Sequence, residues 1–567
     1  MRWLVLAVAF AALIFWPFHA GAPGASKGVL AATFDISSTG VSSSAEISVP
    51  DNIRSLVTGS ELRTLRWPNF SYFKSAVNAL YAPGYQALWL AADQPIGPAR
   101  ALIAILERAE EKGLQPDDYE GPKWQARLQN LSAGGTLAQA EFDVALTISA
   151  LRYATDLHSG RVDPSRLGFG IPTHPFNAAE FVRNRLLTSG DIKTELDRIE
   201  PQFARYKQTL KALALYNEIA KMPEEAPLPQ VPDKGLAPGQ TYTGAQQLAR
   251  RLVEFGDLPP QATLPQQPDL YAGELVSAVK NFQRRNDFNA DGKLTKETVR
   301  ELNVPAAQRL KQLQYALERW RWLPDNIKPP MVEVNLPEFR LRAYEHDELS
   351  VTMKVVVGKA AGHHTPVFTD EMEYVIFRPF WNVPTSIIRN EIIPALRRNP
   401  DYIEHHNMQV TGSNGQIVSE GAVSGDTLSG LRSGRYDIRQ RPGPKNSLGL
   451  VKFDFPNSYD VYMHGTPQNE LFSRTRRDFS HGCIRVEDPT ALAEWVLGLE
   501  LPGVWPLERI KEAMYGDRTQ RVNLPHRIPV LIMYQTAMAT ETGEVQFFQD
   551  IYKLDAELER ALAGPHR

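Results

Sequence analysis

The stretch Tyr462–Val486 reads "YMHGTPQNELFSRTRRDFSHGCIRV" and holds Cys483, the single cysteine of 567 residues. His481 and Gly482 directly precede it, and a second His-Gly pair, His464-Gly465, lies upstream. A cysteine nucleophile works as its thiolate, so near neutral pH it needs a depressed pKa or an adjacent base, most often histidine. His464 follows the strand-like "YDVYM", and Cys483 follows the loop "SRTRRDFSHG". Two adjacent strand ends of a β-sheet would bring the pair together. Gly482 permits close backbone approach and unusual dihedrals, and the amides of Gly482 and Cys483 are placed to serve as an oxyanion hole. Arg485, two residues on, falls on the same strand face as Cys483, where it can hold a substrate carboxylate. Taken singly, a packed histidine and an inert buried cysteine are the ordinary alternatives. Zinc is a third reading of one Cys and two His. No H-x-x-x-H or C-x-x-C pair supports it, and we expect no metal.

On either side of this stretch the chain is strand-like. "MVEVNLPEFRLRAYEHDELSVTMKVVVGK" alternates apolar and polar residues, with "EHDE" as a turn, and predicts antiparallel β-structure. That texture runs to about 536. A helical interruption, "SIIRNEIIPALRRNPDYIEHH", follows "RPFWNVP", and the Gly/Ser/Arg-rich residues 395–445 predict a lid over the site. Residues 537–567 are expected to be a C-terminal tail.

Upstream the period changes. "PARALIAILERAEEKG" and "EFDVALTISALRYATDLHSG" carry apolar residues at helical spacing and end at Gly113 and Gly160. They predict a helical domain over 66–225. A Pro-rich linker, 226–240, follows. Residues 241–305 read as a small helical module, with Leu275, Val279 and Phe282 on one face and Thr295 as a cap. "DFNADG" there matches the first half of a calcium-binding loop, but Thr298 stands where the bidentate glutamate belongs, and a tight turn is the simpler reading. "RLKQLQYALERWRWLP" gives a connecting helix within 306–330, stopped by Pro324.

At the N-terminus Arg2 precedes the apolar run "WLVLAVAFAALIFWPF" and then small residues, so residues 1–27 read as an export signal or an uncleaved membrane anchor. Residues 28–65, with "DISSTGVSSSAEIS", look like a flexible leader. The length implies several domains. The near-balanced charge, −3, gives no electrostatic case for nucleic-acid binding. An exported chain with one thiol points to an intermolecular disulfide or a reactive cysteine.

His464-Gly465, and "SHGCIRV" with fifteen residues between it and His464, resemble the active-site signature of L,D-transpeptidases with the YkuD-type catalytic domain. Residues 355–387 look like the entry half of that domain. Residues 241–305 are similar to a peptidoglycan-binding module, and the helical region with "GLQPDDYEGP" and "DLHSGRVDP" to the scaffold domain of the large YcbB-like members. The resemblance implies a multidomain α+β protein: a helical scaffold, a three-helix peptidoglycan-binding module, and a mainly-β, sandwich-like catalytic domain, 331–536, with a capping insertion. It implies a periplasmic enzyme without cofactor whose partner is peptidoglycan. Cys483 would attack the bond between meso-diaminopimelate and the terminal D-Ala of a tetrapeptide stem, form a thioester, and pass the acyl group to a neighbouring stem amine as a 3→3 crosslink. By position, His464 is the base and the carbonyl of Gly465 orients it. Tyr462, Ser480, His481, Gly482 and Arg485 line the pocket or oxyanion site, with Trp381 and Asn382 as substrate-wall candidates. Arg485 stands where some members have Asn. The motif leaves the acceptor open: water would make a carboxypeptidase, a lipoprotein lysine an attachment enzyme, and a free D-amino acid an exchange enzyme. A wall-binding scaffold without catalysis is the non-enzymatic alternative, and carbapenem acylation of Cys483 separates it from the enzymes.

Overall fold

The computed structural model describes residues 47–565 apart from 325, 326, 347 and 541, so the apolar N-terminal run lies outside the described residues. The alternation seen from residue 331 onward becomes a sheet that closes on itself. Its strands are β1 (Met331–Asn335), β2 (Arg340–Glu345), β3 (Glu348–Gly358), β4 (Phe368–Phe377), β5 (Val451–Asp454), β6 (Met463–His464), β7 (Asp478–Ser480), β8 (Ile484–Val486) and β9 (Gln520–Met533). Among the described residues their order is β7-β3-β8-β6-β5-β4-β9-β1-β2, and β2 also pairs with β3, so the ring has no free edge between them. Every second residue points inward. Val332, Val334, Val355, Val357, Phe453, Met463, Ile484 and Ile532 meet in one apolar core. Most pairs are antiparallel. The exception that matters is β6 with β8, which run parallel, Met463 opposite Ile484 and His464 opposite Arg485.

The helical N-terminal region has its own core, built around the helix Gly135–Ser159, which is buried on nearly every face. A helix enclosed on all sides must satisfy any charge it carries. Asp143 accepts hydrogen bonds from Tyr81 Oη at 2.6 Å and from the amides of Leu88 and Trp89 at 2.9 and 2.8 Å. The expected leader, 28–65, differs here. Val49–Gly59 is a helix capped by Ser48, with Ile53 and Val57 packed into this core. Residues 28–46 of the expected leader lie outside the described residues, and Ile53 and Val57, one helical turn apart, follow its polar stretch.

The expected linker is also packed. Leu228, Val231 and Leu236 are buried with the helices Ala245–Glu254, Glu274–Arg285 and Lys296–Leu302 in the core of the small module. Thr295 caps the last of these through Thr298 N. The calcium-like loop is occupied by protein partners: Asp287 pairs with Arg340 and Arg477 at 3.2 and 3.1 Å, and Asp291 accepts from Asn289 and from Lys293 N.

Two further expectations are corrected. The lid is a folded subdomain that starts before residue 395. Its sheet runs Trp381–Asn382, Tyr436–Gln440, Met408–Gly412, Ile417–Ser419, and Val383, Ile388, Ile392, Leu396, Ile403, Val410 and Ile438 form its core. Apolar residues of the "helical interruption" supply half of that core, which is why helix and lid cannot be separated. Nor are residues 537–567 a tail. Ala537–Ala539 and Val545–Phe547 pair as a hairpin, and the helix Leu554–Leu562 follows. Asp555 there accepts from Arg319 Nη1 and from Thr536 Oγ1, each at 2.7 Å. The helix Ala306–Arg321 lies between this segment and the helix Ala204–Ile219, and Arg205 of the latter pairs with the fully buried Glu333 of β1, Nη1 to Oε1 2.8 Å. Scaffold and sheet therefore share one buried ion pair. Among the described residues no helix is long and apolar enough to cross a membrane.

Candidate active site

The parallel pair β6–β8 sets the geometry. Side chains of directly opposed residues in such a pair leave the sheet on the same face. Met463 and Ile484 go into the core. Tyr462, His464, Cys483 and Arg485 therefore share the other face, and all four line one cavity of about 810 Å³ between the sheet and the cap. Tyr462, Ser480, His481 and Gly482 line it too, as does Trp381 from the cap. Asn382 does not. It sits on the exposed side of the cap strand, opposite Arg439. Gly465 contributes its carbonyl.

His464 is buried, and its Nδ1 lies 2.5 Å from the Gly465 oxygen. A carbonyl only accepts, so Nδ1 carries the proton and Nε2 keeps its lone pair. Burial, then the Arg485 guanidinium, hold the ring's pKa down to about 3. The resting imidazole is neutral. Cys483 is half-buried at the cavity floor, its Sγ 3.7 Å from the Asp460 carbonyl. Burial pushes the thiol pKa up, against the Tyr462 amide and hydroxyl, which favour the thiolate. The sequence offered a depressed pKa or an adjacent base. The structure removes the first option: the thiol rests protonated, on the same cavity face as a neutral imidazole.

The turn before Cys483 is built by side chains. Gly482 has φ +124°, a region that disfavours any side chain. Its amide donates to Ser480 Oγ at 3.1 Å, and Ser480 Oγ donates to the Cys483 carbonyl at 2.7 Å. Of the two amides expected to form an oxyanion hole, Gly482's is thus committed to Ser480. Cys483's has no acceptor among the described residues.

Residues 329–525 match the family model of the L,D-transpeptidase catalytic domain, YkuD. This part of the chain is a YkuD domain. Residues 75–213 match a scaffold domain model and residues 242–302 a peptidoglycan binding domain. A Haemophilus influenzae protein named as an inferred L,D-transpeptidase is 28% identical over 294 residues, 50% of this chain; the chain spans 58% of that relative's length. The solved L,D-transpeptidase of Xylanimonas cellulosilytica (its residues 123–326) aligns over 55% of this chain and all of its own, at 16% identity and TM-score 0.16. That of Stackebrandtia nassauensis aligns over 55% and 97%, at 13% identity and TM-score 0.21. The expected L,D-transpeptidase catalytic domain and peptidoglycan-binding module are therefore both present.

Several residues that shape the YkuD domain's site were missed in the sequence. Thr365 Oγ1 donates to the Gly482 carbonyl at 2.7 Å and accepts from Gly358 N at 2.9 Å, locking the turn before Cys483 to the end of β3. Tyr552, from the supposed tail, donates to the Gly358 carbonyl at 2.6 Å and stacks on His364, ring centroids 4.2 Å apart. Lys452, opposite His464 on β5, holds its ammonium 3.9 Å from the Tyr462 ring centroid. Gly449, φ +64°, lets the backbone pass so close to Gly465 that a Cβ would fall 2.7 Å from the Gly465 carbonyl carbon and the Thr466 nitrogen. None of these has a motif. Only the "HHTP" cluster, His363–Pro366, has the density of polar and aromatic character that marks a site edge.

Proposed function

We propose that this protein is an exported peptidoglycan L,D-transpeptidase. The observation that carries the reading is the shared cavity face of Cys483 and His464 within the YkuD domain. The tetrapeptide stem of a donor strand occupies the cavity, with Arg485 as its cation: Nη1 is bonded to Gln468 at 2.5 Å, and the buried Nε is without a partner among the described residues. Cys483 Sγ attacks the carbonyl of the meso-diaminopimelate–D-Ala bond as Nε2 of His464 takes the thiol proton. The developing oxyanion accepts from the Cys483 amide. The C–N bond breaks, His464 returns the proton to the departing D-Ala amine, and a thioester remains. A stem amine then attacks the thioester, giving the 3→3 link and restoring the thiol. The neutral resting pair suits this course, since thiolate and imidazolium form only as substrate displaces water. The module at 242–302 holds the enzyme on the wall, and the N-terminal apolar run exports or tethers it to the periplasmic face of the inner membrane.

Mass spectrometry of the chain mixed with a tetrapeptide-stem muropeptide tests this, with Cys483→Ala as control. A crosslinked dimer lighter by one D-Ala than two donors, absent from the control, is the expected product. Tripeptide alone would replace the reading with an L,D-carboxypeptidase. An unreacted donor, together with an intact-protein mass unchanged by a carbapenem, would leave a wall-binding scaffold.

A further inference from the structure

The transpeptidase reading leaves one proton without a base. A primary amine is an ammonium ion in neutral water and cannot attack a thioester until it loses a proton. His464 is enclosed, lies opposite the Arg485 cation, and is bonded to a carbonyl rather than a carboxylate. It suits brief passage of the thiol proton and not the storage of a charge.

A second imidazole faces the same cavity. His481 stands two residues before Cys483, and its Nε2 lies 2.5 Å from Glu391 Oε1. A carboxylate accepts, so Nε2 carries the proton and the lone pair is on Nδ1, which has no partner among the described hydrogen bonds. An imidazole oriented by a carboxylate is the recurrent form of a general base, because the carboxylate supplies the counter-charge when the ring is protonated. Glu391 comes from the cap. It lies in the π-helical turn Ile388–Ile392, just ahead of Pro394, which has no N–H to continue regular α-helical bonding. π-turns of this sort re-aim side chains at functional sites. Glu391 lines the cavity and is more than half exposed, within reach of an incoming cation. The His363 ring lies edge-on to His481 with centroids 4.9 Å apart, and burial and then Glu391 push up the hydroxyl pKa of Tyr402, on which His406 stacks; His364 and Asp460 are further titratable groups lining the cavity. No lysine or arginine is among the residues lining the cavity on this side; its one such residue is Arg485.

Resting on the transpeptidase reading, we infer that Glu391 and His481 form the acceptor site: the cap carboxylate draws in the ammonium and the imidazole deprotonates it. The ammonium gives one proton to His481 Nδ1, leaving a neutral amine and an imidazolium paired with Glu391. The amine nitrogen attacks the thioester carbon. The tetrahedral adduct passes its second N–H proton to His464 Nε2, the C–S bond breaks, and His464 returns that proton to the Cys483 sulfur. His481 releases its proton to solvent. The products are an amide, a thiol and one proton, which balance the thioester and the ammonium.

The test separates the two half-reactions in the full chain. Wild-type protein is first acylated by a tetrapeptide donor, and the adduct on Cys483 is measured by intact mass. Failure of that step would defeat the transpeptidase reading itself. The adduct is then chased with a tripeptide stem bearing a free meso-diaminopimelate amine, and transfer is compared with hydrolysis. In Glu391→Gln we expect the transfer-to-hydrolysis ratio to fall at least tenfold and the pH profile of transfer to move upward, as only pre-formed free amine reacts. Glu391→Asp should recover part of both. An unchanged ratio would overturn the inference. So would acylation and transfer falling in parallel, which would make Glu391 a donor contact or a structural residue.

Discussion

Replacing His464 by glutamine gives a direct reading of its charge state through stability. The ring has an ordinary pKa of 6.5, and burial and Arg485 hold it at about 3 in the fold. Between those values the unfolded chain binds a proton that the native chain refuses, so native stability falls as pH drops through that window and is fully present only above it. At about pH 5 the penalty is RT ln(1 + 10^1.5), roughly 2 kcal/mol, and at about pH 7.5 it is roughly 0.1 kcal/mol. The size at pH 5 depends only on the folded value lying well below 5. Glutamine does not titrate, so the stability of the variant relative to the wild type should improve by about 2 kcal/mol between those pH values. Asp143, raised to about 6 by burial, has the opposite slope, binding protons natively that the unfolded chain releases. It is common to both proteins and cancels. The assay is urea unfolding at the two pH values, followed by labelling of Cys483 on opening of the catalytic domain, at fixed ionic strength. A wild-type–variant difference independent of pH would refute the neutral, enclosed imidazole. The catalytic counterpart must agree: acylation should persist to about pH 5, and a loss centred near pH 6.5 would mean that His464 titrates as if exposed.

With its pKa raised, the Cys483 thiol should react with iodoacetamide about tenfold faster per pH unit from roughly pH 6 to 9; a plateau near neutrality would show a resting thiolate. Thr365→Val removes the donor to the Gly482 carbonyl and the acceptor for Gly358 N, and should cost about 1–3 kcal/mol and slow acylation at least tenfold. Urea midpoints and single-turnover adduct formation check it, and wild-type acylation would exclude this bracing role. Asp143→Ala removes the acceptor of the buried Trp89 amide, the half-buried Leu88 amide and the Tyr81 hydroxyl, and should destabilise the scaffold by about 3 kcal/mol, read from its thermal transition. Glu333→Ala leaves Arg205 buried without its carboxylate and should lower stability by about 3–5 kcal/mol; a neutral result would show that water reaches the pair.

What the sequence disclosed and what it hid follow from range. The alternation of Val332, Val334, Val355 and Val357 is a local period, and it announced the sheet. The spacing of His464 and Cys483 is short, and it marked the cavity that both residues line. The register that puts Arg485 opposite His464 needs only two neighbouring strands. The supports are different. Thr365 acts on Gly482 across 117 positions, Tyr552 on Gly358 across 194, and Glu391 on His481 across 90. No local pattern encodes contacts so distant. The burial of the sheet's flank by scaffold helices was equally hidden, because Glu333 in a strand reads as exposed until Arg205 is placed beside it. The charge state was hidden for the same reason: it depends on how deeply the fold buries His464 and on Arg485 across the sheet.

The segment 552–564 has a consequence for the order of folding. Asp555 clasps Arg319, Tyr552 holds the end of β3, and Arg161 of the scaffold donates to the carbonyls of Leu562 and Gly564. A growing polypeptide that has already emitted Cys483 still lacks the strut beneath it and the seam that joins its first folded region to its second. That segment therefore acts as a keystone: a chain cut ahead of Tyr552 would keep Cys483 and His464 but lose the strut under their turn and the clasp on Arg319.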